Sequence, residues 1–248
     1  MTLITSLQNP TIKLMRALTE KKFRQDTGLF LAEGWDFLNR ARKTGWVPEH
    51  LLSTEAISPW GSTQPMLVSD KIMAALSGQS NALSVVAAFR QRYATEVSSK
   101  GVWVALEDMR DPGNLGTIIR TADAVGASGV ILVGQSCDPF SRECVRATTG
   151  SIFGPPLVRM ETETFVALCK SWPGTVVGTH LKGTEDFRQN YAAPTLLVMG
   201  SEGRGLSDEL SAACKTLVRI PMLGDAESLN VATATALMLY EIQKTQLK

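Results

Sequence analysis

From residue 101 onward the chain repeats one rhythm of apolar run, polar turn and amphipathic stretch, and this restricts the fold more than any other feature. The apolar runs read as strands at residues 102–106, 129–133, 175–179, 195–199 and 216–220. Helical patterns occupy residues 115–125, 142–149, 164–170, 207–213 and 230–244. Apolar strands separated by amphipathic helices form a mostly parallel sheet covered on both faces. Ligands of such sheets bind beyond the carboxyl ends of the strands. The loops at those ends are therefore where chemistry is expected.

Three such loops are rich in glycine and polar residues. In the first, residues 107–122 (EDMRDPGNLGTIIRTA), Asp111, Pro112 and Gly113 make a turn and Asn114 is expected to cap the helix. Gly116 permits close backbone approach. Arg120 lies two turns inside, where a wholly structural helix more often carries an aliphatic or small residue; taken alone it reads as a surface arginine. In the second loop, residues 197–207 (LVMGSEGRGLS), three glycines surround Glu202 and Arg204. Exposed amides bind anions well, but there is no G-x-G-x-x-G and no terminal Gly-Lys-Ser/Thr. A central carboxylate would also repel a phosphate, and it suits a hydroxyl, a cation or a partner side chain better. The third, residues 219–235 (RIPMLGDAESLNVATAT), has Ser228 and Asn230 opening a long helix, and both could be caps. Capping leaves the apolar loop 220–223 unexplained. Such a loop can offer backbone groups to an adenine edge while its side chains pack the ring.

Together these segments resemble the three signature motifs of the SpoU (TrmH-like) methyltransferases of the SPOUT class. Asn114, Gly116, Arg120, Ala122, Asp123, Ala124 and Gly126 are similar to N-x-G-x-x-x-R-x-A-D-A-x-G. Residues 197–207 resemble L-V-x-G-x-E-G-x-G-L-S, residues 220–231 resemble I-P-M-x-G-x-x-x-S-L-N-V, and residues 145–157 resemble the family's segment between the first two motifs. One departure is Ala232, where the family commonly has serine. The resemblance implies an α/β chain whose parallel-sheet SPOUT domain, residues 101–248, carries a trefoil knot built from the second and third motifs. It further implies a homodimer and methyl transfer from S-adenosyl-L-methionine to a ribose 2′-hydroxyl of RNA, ribosomal RNA before transfer RNA. By the same resemblance Arg120 is catalytic, assisted by Asn114, Glu202, Ser228 and Asn230. Cofactor contacts fall, mainly through backbone, on Thr179, Gly200, Ile220, Met222 and Leu229. A base methyltransferase on the same knot, a non-catalytic RNA-binding factor and a nucleotide-binding protein are the rival readings.

Ahead of this domain, residues 1–92 read as a small α/β unit, with residues 93–100 (YATEVSSK) a polar linker. Asn9 and Pro10 start a helix whose apolar stripe is Ile12, Leu14, Met15 and Leu18. Short strands are expected at residues 29–32, 51–53 and 83–89, and helices at residues 34–44 and 69–76. This half resembles the RNA substrate-binding domain that many SpoU proteins carry. Net charge is only +1, which argues against broad nonspecific nucleic-acid binding. A local basic patch is compatible with it: Lys13, Arg16, Lys21, Lys22, Arg24, Arg40, Arg42 and Lys43 are either solvated helix faces or an RNA-facing surface.

Cys137, Cys144, Cys169 and Cys214 form no C-x-x-C pair, and His50 and His180 stand far apart, so no metal site is expected. No apolar run approaches the roughly 20 residues that span a bilayer. With no cationic-then-apolar leader at the N-terminus, a cytoplasmic protein that does not contact membrane is expected.

Overall fold

The computed structural model describes residues 3–77, 83–181, 183–201 and 203–247. Glu202 lies outside the described residues. The first elements are α1 (Pro10–Ala17), α2 (Lys21–Thr27), β1 (Leu29–Glu33), α3 (Trp35–Lys43), β2 (His50–Ser53), β3 (Pro65–Leu67), α4 (Asp70–Ser77) and β4 (Val85–Arg90). After a strand-free stretch come β5 (Val102–Glu107), α5 (Pro112–Ala124), β6 (Gly129–Val133), α6 (Arg142–Thr148), β7 (Leu157–Met160) and α7 (Thr162–Ser171). The remainder is β8 (Thr175–Thr179), β9 (Glu185–Asp186), β10 (Thr195–Met199), α8 (Asp208–Ala213), β11 (Thr216–Arg219) and α9 (Val231–Gln243). Two compact units result: residues up to Arg92 with Asp138–Gly154, and Tyr93–Cys137 with Pro155 onward. Nothing in the rhythm of the sequence marks Asp138–Gly154 as part of the first unit.

In the first unit the strands run in the order β1-β4-β2-β3, with β4 antiparallel to both neighbours and β3 parallel to β2. Successive side chains of a strand face opposite sides. Leu29 and Leu31 of β1 accordingly join Ile12 and Met15 of α1, and Leu18 at its C-cap, in one core. Phe30, between them, joins an aromatic cluster instead, with its ring centroid 4.9 Å from Phe140 and 5.9 Å from Phe153. Asn9 caps α1, its Oδ1 accepting from Thr11 N at 2.9 Å. The sequence reading missed α2, because its one buried residue is Arg24. That guanidinium is satisfied by Asp138 at 2.8 Å and by the Leu18 and Thr19 carbonyls. Burial of a charge is tolerated when it is paired and hydrogen-bonded.

The second unit is built on a sheet in the order β7-β6-β5-β10-β8-β11-β9, every pairing parallel. On one face Trp103, Ile131, Val176 and Val198 pack with Phe165 and Cys169 of α7 and Leu210 of α8. On the other, α5 and α9 pack together, and Gln243 Nε2 of α9 donates to the Val125 carbonyl at the end of α5 at 3.1 Å. Residues 93–100 carry no helix or strand, and their Ala94 and Val97 pack against the first of these faces. Because all strands point one way, β5, β8, β10 and β11 deliver their following loops to the same end of the sheet. Among the described residues no helix is long and apolar enough to cross a membrane.

Candidate functional site

The loop after β5 turns on Asp111, whose side chain accepts from Asn114 N at 2.6 Å and so caps α5, with Pro112 in the first turn. The cap was expected at Asn114; Asp-Pro fills that role three residues earlier, because proline fits the first helical position. The Asn114 side chain is thereby left for other work. Asn230 takes it up: its Nδ2 donates to Asn114 Oδ1 at 3.0 Å, while its own Oδ1 accepts from Ala232 N at 2.9 Å and caps α9. Asn230 is therefore both the cap that its sequence position allows and the link between the first and third motifs. Among the described residues Ser228 caps no helix, and the cap of α9 is Asn230.

The second motif leaves β10 as a tight loop. Ser201 N–H donates to the Gly205 carbonyl at 3.1 Å and Gly205 N–H returns the bond at 2.9 Å. A Cβ on Gly200 would stand 2.0 Å from the Gly205 carbonyl carbon, so only glycine allows this closure. Gly203 and Gly205 both have positive φ, +78° and +71°. Sequence reasoning gave Glu107 no role, though it opens the first motif. This buried carboxylate, at the end of β5, accepts from Ser207 N at 2.9 Å and ties the second motif to the first. Ser207 in turn caps α8 through Leu210 N.

A cavity of about 360 Å³ opens between these loops at the strand ends. Every residue expected to hold the cofactor lines it, namely Thr179, Gly200, Ile220, Met222 and Leu229, as do Ser228 and Asn230. Leu181, Met199, Val218 and Val231 add apolar wall. The volume lies within the range of small-molecule sites, and an apolar lining with few polar groups is their usual make-up. The third-motif loop divides its apolar residues: Ile220 and Met222 turn toward the cavity while Leu223 is wholly exposed.

Arg120 does not line this cavity. It lies with Thr117 and Ala124 on the exposed face of α5, opposite the buried Leu115, Ile118, Ile119 and Ala122. Among the described residues no carboxylate pairs with it. Nor does any cluster of three or more His, Cys, Asp or Glu stand ready for a metal ion among those residues.

Known proteins resemble this chain in sequence and fold. The profile of the SpoU rRNA Methylase family matches residues 101–240, and that of an MRM3-like substrate binding domain matches residues 9–87. A 23S rRNA (guanosine(2553)-2′-O)-methyltransferase, RlmP, from Bacillus subtilis (strain 168) is 31% identical over 97% of this chain and 98% of its own length. A 23S rRNA (uridine(2479)-2′-O)-methyltransferase from Streptomyces viridochromogenes is 32% identical over 90% of this chain and 85% of its own. The crystal structure of an AdoMet-bound rRNA methyltransferase from Sinorhizobium meliloti superposes with a TM-score of 0.91 at 41% identity, covering 100% of this chain and 99% of that one. The chain belongs to the SpoU rRNA Methylase family.

Proposed function

We propose that the protein methylates a ribose 2′-hydroxyl in ribosomal RNA, with S-adenosyl-L-methionine as methyl donor. One observation carries this reading: a single cavity at the strand ends joins the residues of the second and third motifs, and Asn230 links it to Asn114 of the first. The apolar wall formed by Met199, Ile220, Met222 and Leu229 suits an adenine ring, and the backbone of Thr179, Gly200 and Ile220 suits its polar edges. Ribosomal RNA is favoured because relatives spanning nearly the whole chain bear that substrate in their names.

S-adenosylmethionine supplies a methyl group already activated by its sulfonium. What remains for the protein is to orient the ribose oxygen and to stabilise it as it loses its proton. Orientation alone is worth about 7–11 kcal/mol. We assign Asn114, Ser228 and Asn230 to positioning the ribose, and the family motif gives Glu202 an assisting role. A guanidinium holds its proton too firmly to serve readily as a base. Among the described residues Arg120 has no carboxylate partner, and its planar fork is better suited to grip a neighbouring phosphate bidentately and to stabilise the developing oxyanion.

Two further features complete the reading. The exposed positions Thr117 and Ala124 of α5, and Leu237 and Tyr240 of α9, are the surfaces through which a second copy would complete a homodimer. The trefoil knot is supported by the placing of β10 between β5 and β8, with β11 beyond them. A cytoplasmic location goes with the RNA substrate.

Labelled S-adenosylmethionine, offered with separate pools of unmodified ribosomal and transfer RNA, tests the proposal after digestion to nucleosides. Label in the ribosomal pool as a 2′-O-methylnucleoside is expected. A DNA copy should receive none, since it lacks the 2′-hydroxyl. Label on a base, or on DNA, would overturn the ribose assignment.

A further inference from the structure

A second cavity, of about 700 Å³, lies wholly within the first unit. It sits at the end of the sheet where β2 and β3 begin and β4 finishes, and the methyl-transfer reading gives it no role. Glu49, His50, Thr63, Gln64, Arg90 and Arg92 are among its walls.

Two arginines at this end of the unit are mounted on tryptophans. The Arg92 guanidinium carbon stands 4.1 Å from the centroid of the Trp46 ring. That of Arg42 stands 4.6 Å from Trp60, at the start of the turn whose Ser62 and Thr63 line the cavity. Both rings are themselves held edge-on against Phe89, at 6.4 Å and 6.0 Å between centroids. The chain is fixed here too. Gln91, between Arg90 and Arg92, donates from its backbone to Gly28 O at 2.7 Å and from its side chain to Arg24 O and Leu29 O. Thr63 Oγ1 donates to the Pro48 carbonyl and closes the opposite wall.

Arg42 and Arg92 are exposed, and among the described residues neither pairs with a carboxylate. Arg90 meets Glu49 at 2.6 Å, but both side chains are at least 40% exposed, and such a pair is readily exchanged for a stronger anion. A guanidinium stacked on tryptophan keeps one flat face for a second ring and its N–H edge for an anion. A nucleotide supplies both, a base for the face and a phosphate for the edge. An acidic peptide would engage only the edge.

We propose that this end of the unit binds an unpaired segment of the RNA substrate, with phosphates held by Arg90 and Arg92 of the cavity and by Arg42 over Trp60, and a base stacked on a mounted guanidinium. The proposal rests on the RNA-methyltransferase reading above. It would place part of substrate recognition on residues that take no part in methyl transfer.

The test uses the full chain and a fragment of the ribosomal RNA that it methylates, with binding followed across a range of salt. In Arg42→Gln/Arg92→Gln, affinity should fall about tenfold or more, and the slope of log K against log salt should flatten by about 1.4, at roughly 0.7 for each lost phosphate contact of a single strand. S-adenosylmethionine affinity should not change. Should the pair lower the melting temperature by uncovering the tryptophans, Arg90→Gln uncovers neither and should flatten the slope by about 0.7. Folded variants with wild-type affinity and slope would overturn the site while leaving the methyltransferase reading intact. Polyglutamate that competes as well as RNA of equal charge would overturn the nucleic-acid assignment. A wild-type chain that neither binds nor methylates RNA would overturn both readings.

Discussion

Asn230 Nδ2 donates to Asn114 Oδ1 at 3.0 Å and so couples two residues 116 positions apart in the chain. The same Asn230 caps α9 with its oxygen. These two duties are separable by substitution. Asn230→Ala removes both and should cost about 1 kcal/mol of stability in addition to activity. Asn230→Ser keeps a capping oxygen, so its melting temperature should stay near wild type while methyl transfer falls at least tenfold. Asn114→Ala should behave like the serine variant, since Asp111 rather than Asn114 caps α5. Equal loss of stability in Asn230→Ser and Asn230→Ala would show that the contact with Asn114 matters more to folding than to the site.

Arg120 is exposed and unpaired among the described residues, so removing it should hardly disturb the fold. Surface substitutions away from special features usually stay within about 0.5 kcal/mol. Arg120→Ala should therefore melt like wild type and bind S-adenosylmethionine normally, yet lose about a hundredfold or more in rate, the scale of one lost electrostatic stabiliser. Arg120→Lys separates clamp from base. A clamp loses its bidentate grip and most of its rate with an unchanged pH profile, whereas a base shifts the profile toward the lower pKa of lysine. Wild-type rates in both variants would remove Arg120 from the mechanism.

The parallel sheet and the order of its helices were legible because buried parallel strands are apolar on both faces, as residues 102–106 and 195–199 are. Less could be read where the controlling contacts are polar and distant. β7 and β9 were not foreseen: β7 exposes Arg159 at mid-strand, and β9 is only Glu185 and Asp186. The short α2 escaped because burying a single arginine creates no apolar period. Asp138–Gly154 reads locally like the rest of its half, and its contacts with the first unit join residues far apart in sequence, among them Asp138 with Arg24, Arg142 with Glu33 and Phe140 with Phe30. At the site, the residues expected to hold the cofactor do share one cavity. Glu107 went unnoticed because its acceptor role depends on a backbone N–H 100 residues away.

Gly200 and Gly205 share one loop but are glycine for different reasons. A methyl at Gly200 would collide with backbone at 2.0 Å, whereas at Gly205 it would meet nothing within 4 Å and only the positive φ resists it. Gly205→Ala should therefore cost about 1–2 kcal/mol, with S-adenosylmethionine still bound. Gly200→Ala must displace the loop and should weaken cofactor binding at least tenfold by calorimetric titration. Equal affinities in the two variants would mean that the loop does not shape the cavity.

Glu33 is a buried carboxylate shared by two arginines. Arg142 reaches its Oε1 through Nε and Nη2 at 2.9 and 2.7 Å, and Arg146 reaches Oε2 at 3.1 Å. The same guanidinium groups also donate to the Leu76 and Ser77 carbonyls. Glu33→Ala leaves Arg142 largely buried without its counter-charge, a loss of about 3–5 kcal/mol. Arg146→Ala should cost clearly less, because that side chain is 37% exposed. Urea unfolding of both variants, with tryptophan emission as readout, tests the ranking. A Glu33→Ala protein as stable as wild type would mean that α6 is held without its ion pairs to Glu33.

The thiols of Cys169 and Cys214 give the second unit an alkaline limit. Burial pushes Cys169 up to about 11, and burial, with smaller contributions from Cys169 and Glu107, pushes Cys214 up to about 12. Both values lie above the ordinary thiol value of 9.0 that the unfolded chain would show. Below pH 9 the thiols are protonated in both states and the fold keeps their full contribution. Between about 9 and 12 the unfolded chain releases protons that the folded chain holds, so stability falls as pH rises. Cys169→Ala/Cys214→Ala loses some packing at every pH, but that offset does not depend on pH. The readout is therefore the slope: urea midpoints taken from pH 8 to 11 should decline less steeply in the double variant than in wild type. Parallel declines would mean that the alkaline loss comes from other groups, and iodoacetamide labelling of the folded protein at pH 8 should in either case leave both thiols unmodified.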